Sequence, residues 1–394
     1  MPKRWTVLLA YALVAASTQL LWLSFAPVDT AAARAMHVDV GSIGDLALIF
    51  PLVYVVLALP TGRWLDSNFN TALAAGAVLT GVGGLGRLVA PTSFGVQLAG
   101  QVVISIGQPL VLNSVTKLAA HHFPPGERAT AISVGSVALF AGILAAVLAG
   151  GPLFSAGGLP LLLGVEAVPA VLGMALLLGA LRIKPAYADD VSTSVNLRWL
   201  ARDGFMWVLA ALIFIGMGTY NAVATWLQPI LDHYGHGADA GNLVAVMTVG
   251  GIVGAAFIPS ASAARNWRRP VLLLALAVTA VSFLAMDVVH DSAWIGGWLL
   301  LQGIFLMACL PIVLDWSELH SGPERAGAAA GFLLMAGNLG GVVLVLVVQV
   351  VMGTPSLPFI AMAVAALLAV PLALRLPAGG GAAPDSSPRV RGGG

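Results

Sequence analysis

Amide and aromatic side chains break into the apolar runs of this 394-residue chain at spacings that share helical faces. Gln19 and Trp22 lie three apart, Gln101 and Gln108 seven apart, and Tyr220 is followed by Asn221, Thr225 and Gln228 at steps of four and three. Trp226, Gln302 and Asn338 stand in further apolar runs. Amides can hydrogen-bond a small solute without adding charge. Rings such as Trp22, Tyr220 and Trp226 attract an organic ammonium through the ring quadrupole, worth about 2 kcal/mol per desolvated contact. Singly, each amide could instead bond helix to helix, and Trp22 and Trp226 could belong to an interfacial aromatic belt.

Charge is scarce in these runs. Glu166 is the single carboxylate well inside one, at a cost of ~3 kcal/mol unless protonated or paired. Arg87 stands at a similar depth, so an Arg87–Glu166 pair is expected, with a proton-binding role for Glu166 as the alternative. Asp315 and Glu318 fall near the end of their run, where water is expected to reach them. His121 and His122 are neighbours whose rings point apart on a helix, and no cysteine or carboxylate cluster accompanies them, so no metal or other cofactor is expected. The glycines of "GVGGLG" (81–86) lack the lysine and preceding strand of a phosphate loop and suit close helix packing. No catalytic triad or carboxylate pair suggests an enzyme. Cys309 has no second cysteine with which to form an internal disulfide.

The elements that must position these residues follow from composition. Hydrophobic residues make up 59% of the chain and charged residues 9%, far below the soluble norm of about a quarter. This composition belongs to a lipid bilayer. The net charge of +1, with its cations scattered, argues against a nucleic-acid partner. Stretches of about 20 apolar residues, long enough to cross the hydrocarbon core, fall at 5–27, 42–61, 71–91, 94–118, 129–151, 159–182, 204–228, 240–262, 270–290, 293–316, 326–352 and 356–376. The first is too long for a signal peptide, so Met1–Arg4 reads as a retained positive flank. Sixteen of the 18 Lys and Arg fall on the side that holds both termini, leaving Arg34 and Arg87 toward the other. Both termini are therefore expected in the cytoplasm of a multi-pass plasma-membrane protein. Residues 183–203 read as a cytoplasmic linker between an N-terminal bundle (1–182) and a C-terminal one (204–377), and 378–394, rich in Gly, Pro and Ser, as a disordered tail.

One segment is written twice. Glu127 and Arg128 recur as Glu324 and Arg325, 197 residues on, and Pro109 and Asn113 recur as Pro311 and Asp315, 202 residues on. "LPTGRWLDSNFN" at the exit of span two answers "IPSASAARNWRR" at the exit of span eight. Two parallel six-helix halves follow. Gly62 lets the chain leave span two tightly, and Asp66 is expected to meet Arg325 or the start of span eleven. Its symmetric counterpart is expected to be Glu127 meeting Arg265, Arg268 or Arg269. Pro109 and Pro311 are expected to interrupt spans four and ten.

These segments also carry a family resemblance. "GRWLD" is similar to the major facilitator signature between helices two and three: Gly62 and Asp66 match, while Ser67, Phe69 and Asn70 depart from its basic run. "LLWLSFAPV", "QPLVLNSVTKLAAHHFPPGERATA" and "LPIVLDWSEL" resemble the feline leukaemia virus subgroup C receptor-related branch, whose members are associated with choline, ethanolamine or haem transport. The resemblance implies an all-α membrane protein of twelve transmembrane helices in two pseudo-symmetric six-helix bundles, the major facilitator fold. It implies that spans one, four, seven and ten line a cavity, that two, five, eight and eleven join the halves, and that an aromatic ring stands at Trp22. Where those relatives carry glutamines or a tyrosine, this chain has Phe140, Asn338 and Asn221. A monomeric carrier of a small choline-like cation is expected, with a proton-coupled drug or metabolite exporter and a non-transporting receptor as alternatives.

Overall fold

A backbone in hydrocarbon must bond to itself, so each apolar run is expected to close into a helix. The computed structural model describes residues 3–187, 197–354 and 356–378. In the first half α1 (Lys3–Trp22), α2 (Asp29–Met36), α3 (Val40–Ser67), α4 (Phe69–Gly86), α5 (Phe94–Leu112), α6 (Val115–His122) and α7 (Pro125–Ala180) follow in order. Beyond a short α8 (Arg198–Arg202), the second half comprises α9 (Gly204–Asp232), α10 (Ala240–Ala264), α11 (Arg268–Val288), α12 (Ser292–Ser321), α13 (Ala326–Val351) and α14 (Leu357–Ala373). Aspartates start three of these helices: Asp39 accepts from the Ser42 N–H, Asp203 from Phe205 and Met206, and Asp291 from Ala293 and Trp294.

Twelve spans result. The 56 residues of α7 are two of them, joined where Gly157 and Gly158 leave the helix, and Gly158, at φ 65°, takes a conformation that suits a residue without Cβ. The 17 residues of α14 form the last span. The ends differ from the sequence expectation in two instructive places. α1 stops at Trp22 rather than near 27, and the span expected over 94–118 breaks at Asn113–Ser114 into α5 and α6. The prolines do not make these breaks: Pro109 lies inside α5 and Pro311 inside an unbroken α12. The expected linker contains helix α8, while its residues 188–196 and the expected tail from 379 lie outside the described residues.

The packing repeats between halves. α1 packs on α7 as α9 packs on α13, and α3 packs on α5 as α10 packs on α12. The halves join through α3 against α13 and α7 against α10. Along the α3–α13 seam the backbones nearly touch: a methyl added to Gly62 would come within 2.5 Å of Gly327 O, and one on Gly331 within 2.5 Å of Ala58 O. Gly62→Ala is therefore expected to push the halves apart at the end bearing most of the basic residues. Spin-label distances across that end should lengthen and broaden, and an unchanged distribution would contradict this account of the seam.

Candidate functional site

A cavity of about 870 Å³, including its mouth, lies between the halves, walled by residues of α1, α3, α5, α7, α9, α12 and α13. Four amides face it, Gln19, Gln108, Asn221 and Asn338, as do four rings, Trp22, Phe50, Phe140 and Tyr220. Met217, Met307 and aliphatic side chains complete the wall, and none of its lining residues is Asp, Glu, Lys, Arg or His. The Trp22 ring stacks on Phe50 at 5.2 Å, nearly parallel, and its Nε1 donates to Ala47 O at 2.8 Å. Tyr220 is held by its hydroxyl 3.2 Å from that of Thr248, which donates onward to Val244 O. Asn338 Nδ2 donates to Leu334 O and Gln19 Nε2 to Thr18, whereas Gln108 Oε1 has no protein partner. The wall offers aromatic faces and an unused acceptor, which suits a neutral or cationic solute.

Three expected wall residues stand elsewhere. Trp226 is six residues beyond Tyr220, some 240° around the helix, and sends its indole N–H to Val345 O within the core of the second half. Gln302 is fully buried outside the cavity lining: α10 presses on α12 so closely that a methyl on the adjacent Gly303 would collide with Met247 O. Gln101 turns behind the wall and donates to Trp22 O at 3.4 Å. Phe50 was not singled out from the sequence, because nothing in its apolar run separates it from the exposed Leu48 and Leu52.

Beyond the cavity, at the end carrying most of the basic residues, the halves are tied together. Asp66 accepts the N–H groups of Gly327 and Ala328, each at 2.8 Å, and so caps the start of α13 from across the seam. Lys117 binds the same aspartate, its Nζ 2.7 Å from Asp66 O and 3.4 Å from Oδ1. Arg325 is not part of this contact: it lies exposed, 5.3 Å from the ring centroid of Trp199. The expected symmetric counterpart fails as well. Glu127 pairs with Arg4 at 2.9 Å, Arg268 pairs within its own half with Asp315 at 2.7 Å, and Arg265 is exposed beside Trp267. Arg269 makes none of these ties. The cause is a reversal of sign. Arg265 occupies the position that Asp66 holds in the first half, and a cation cannot cap the positive start of a helix. Instead Arg128 crosses the seam to Glu318 at 2.7 Å, and Thr116 Oγ1 donates to Ala326 O at 3.1 Å.

Asp315 and Glu318, expected in reach of water, are 3% and 1% exposed; Asp315 is held by Arg268, and Glu318 gives one oxygen to Arg128 while its Oε2 has no protein partner. The doubled segment held a signal for them, since Thr116 and Glu318 are related by the same 202-residue offset as Asn113 and Asp315. Asn113 is buried too, donating to Ala58 O at 2.9 Å and Thr61 Oγ1 at 3.1 Å, and it accepts from Tyr54.

Arg87 and Glu166 lie close enough to attract one another but make no direct salt bridge. Arg87, fully buried, spends its guanidinium on Leu21 O (3.0 Å), Ser24 Oγ (3.2 Å) and Gln97 Oε1 (3.0 Å). Its Nη2 and Glu166 Oε2 are both buried without a hydrogen-bond partner, so the two charges attract one another across a gap that neither closes. At the edge of the tied end, burial and the charge of Lys117 hold the His121 imidazole down at about 4, and His122 is also lowered by burial. Both are therefore neutral near pH 7. His121 packs its ring edge against Phe69, and the described residues hold no cluster of three or more His, Cys, Asp or Glu suited to a metal.

Two six-span bundles around a shared uncharged cavity, tied to one another at one end, define a membrane transporter for small molecules. The pattern of the Major Facilitator Superfamily matches residues 7–345, and the chain belongs to that superfamily. It is 30% identical over 380 residues to solute carrier family 49 member A3 of Danio rerio, covering 90% of this chain and 79% of that protein. It is 23% identical over 381 residues to the choline/ethanolamine transporter flvcr2b of Danio rerio, covering 86% and 76%. Among solved structures, a bacterial homologue of the iron transporter ferroportin in an outward-facing state shares the fold, with TM-score 0.78 and 16% identity over 95% of this chain and 99% of that one.

Removing one partner of the buried Arg128–Glu318 tie strands a charge. Arg128→Ala is expected to cost about 3 kcal/mol, and Arg128→Ala combined with Glu318→Gln should recover at least half of that. Thermal unfolding of the purified protein checks it, and equal losses in the single and double variants would contradict the assignment.

Proposed function

We propose that this protein is a facilitative, alternating-access carrier of a small organic cation of the choline class. The observation that carries this reading is the cavity itself: aromatic faces and amides with no charged side chain. A quaternary ammonium needs no carboxylate if rings enclose it, at about 2 kcal/mol per desolvated contact, and Trp22, Phe50, Phe140 and Tyr220 supply the rings. The relationship to a choline/ethanolamine transporter supports the same solute class. In this reading the ties of Asp66 and Arg128 form the cytoplasmic gate, the cavity faces outward, and the ties break when it opens inward. They bias that equilibrium by their differential energy alone. The protein works as a monomer in the plasma membrane, with both termini cytoplasmic, halves at 1–182 and 204–377, the linker 183–203 between them, and no nucleic-acid partner.

One observation favours a second reading, proton-coupled export: Glu166 is buried with Oε2 lacking a hydrogen-bond partner. Liposomes separate the two. Choline flux down its own gradient, unaffected by collapsing the proton gradient, supports the carrier; strict dependence on the proton gradient supports the exporter; binding without flux indicates a receptor. In the same liposomes Trp22→Ala is expected to lose about tenfold in choline affinity, equivalent to ~1.4 kcal/mol, while Trp22→Phe keeps most of it. Equal affinities in all three proteins, or no choline binding at all, would remove this substrate assignment.

A further inference from the structure

The end of α1 poses a backbone problem inside the membrane. The helix stops at Trp22, the chain turns through residues 23–25 into a short 3-10 turn at Ala26–Val28, and the final carbonyls of α1 lose their usual helical partners. Leu23 N still reaches Gln19 O at 3.3 Å, but Ala26 N turns to Leu23 O instead of Trp22 O. Side chains take over. Ser24 Oγ lies 3.5 Å from Leu20 O and 3.0 Å from Leu21 O, Arg87 Nη1 donates to Leu21 O at 3.0 Å, and Gln101 Nε2 to Trp22 O at 3.4 Å. Arg87 is fully buried and Gln101 1% exposed, so these donors are shielded from water, and the buried Leu21 carbonyl would have no ready substitute for its donor.

The surroundings are shaped for the arginine. A methyl on Gly100 would collide with Arg87 Cγ, so the glycine opens the slot in which the side chain's stem lies. Gln97 takes the Nε–H, and the guanidinium sits 4.7 Å from the Phe25 ring centroid. Trp22, whose carbonyl Gln101 holds, is the same residue whose ring lies against Phe50 in the cavity wall.

We propose that Arg87 and Gln101 are positioning residues for the cavity: by binding the open carbonyls at the end of α1 they fix the broken helix in the register that lays Trp22 on Phe50. Neither side chain touches the solute. The affinity arm of the test rests on the reading of the cavity as a cation site; the backbone arm does not.

Wild type, Arg87→Gln, Gln101→Leu, Trp22→Ala and the Gln101→Leu/Trp22→Ala double variant are compared in lipid nanodiscs. Without ligand, both clamp variants should speed amide hydrogen exchange over residues 20–28 while leaving the start of α13 unchanged. Choline affinity should fall about fivefold in Gln101→Leu, but by less than about twofold when the same change is made on Trp22→Ala, because the two then act through one ring. Full additivity of the two losses, or unaltered exchange over 20–28, overturns the proposal. If Arg87→Gln does not fold, Gln101→Leu carries both arms. If wild type binds no choline, the substrate reading falls, and exchange alone decides the clamp.

Discussion

A peptide group in hydrocarbon has no water to turn to, and most of this molecule follows from that. Unbroken helices meet the demand by themselves, so each break must find partners for the peptide groups it frees. Two interruptions inside spans and one turn between spans are answered differently. At the end of α1 an arginine, a serine and a glutamine reach the open carbonyls. After α5, Asn113 and Ser114 stay locally bonded, with Asn113 N donating to Pro109 O and Ser114 N to Val111 O. Within α7 two glycines turn the chain sharply between two spans. Buried polar side chains that look costly in the sequence, Arg87 foremost, are those that make such breaks possible.

The same demand explains how the halves grip one another. The start of α13 leaves N–H groups free, and Asp66 from the other half takes two of them. That tie reads main chain rather than side chain on one side, so it depends on helix position and on little else. Its symmetric place carries Arg265, which has the wrong sign, and the grip there passes to Arg128 and Glu318. Two halves with the same packing pattern have thus been locked by two unlike devices, one a helix cap and the other an ion pair.

Length and charge bias made the spans legible in the sequence, and duplication made the halves legible. The doubled segment located the tied end because its polar residues interrupt long apolar runs. What composition could not give is rotation about each helix axis. Trp226 and Tyr220 share a helix but lie about a third of a turn apart, and Gln302 is sealed by the close approach of α10, which no spacing on α12 alone reveals. Glu318 looked wet because it lies near a helix end, yet Arg128 and the neighbouring half cover it. Arg87 and Glu166 looked like partners because both are charged and deep. They are neighbours, yet the guanidinium's hydrogen bonds go to the end of α1 and to Gln97, a demand invisible in a residue list.

The seam between α3 and α13 has a mechanical consequence. Ala58, Gly62, Gly327 and Gly331 meet there backbone to backbone, with no side chain larger than a methyl at those four positions. Interfaces built of large side chains act like gears, and sliding them demands that rotamers unpack and repack in concert. This one acts like a plain bearing. At those four positions no rotamer has to unpack for one half to roll against the other, so along this seam the polar latches at its end carry more of the resistance to motion.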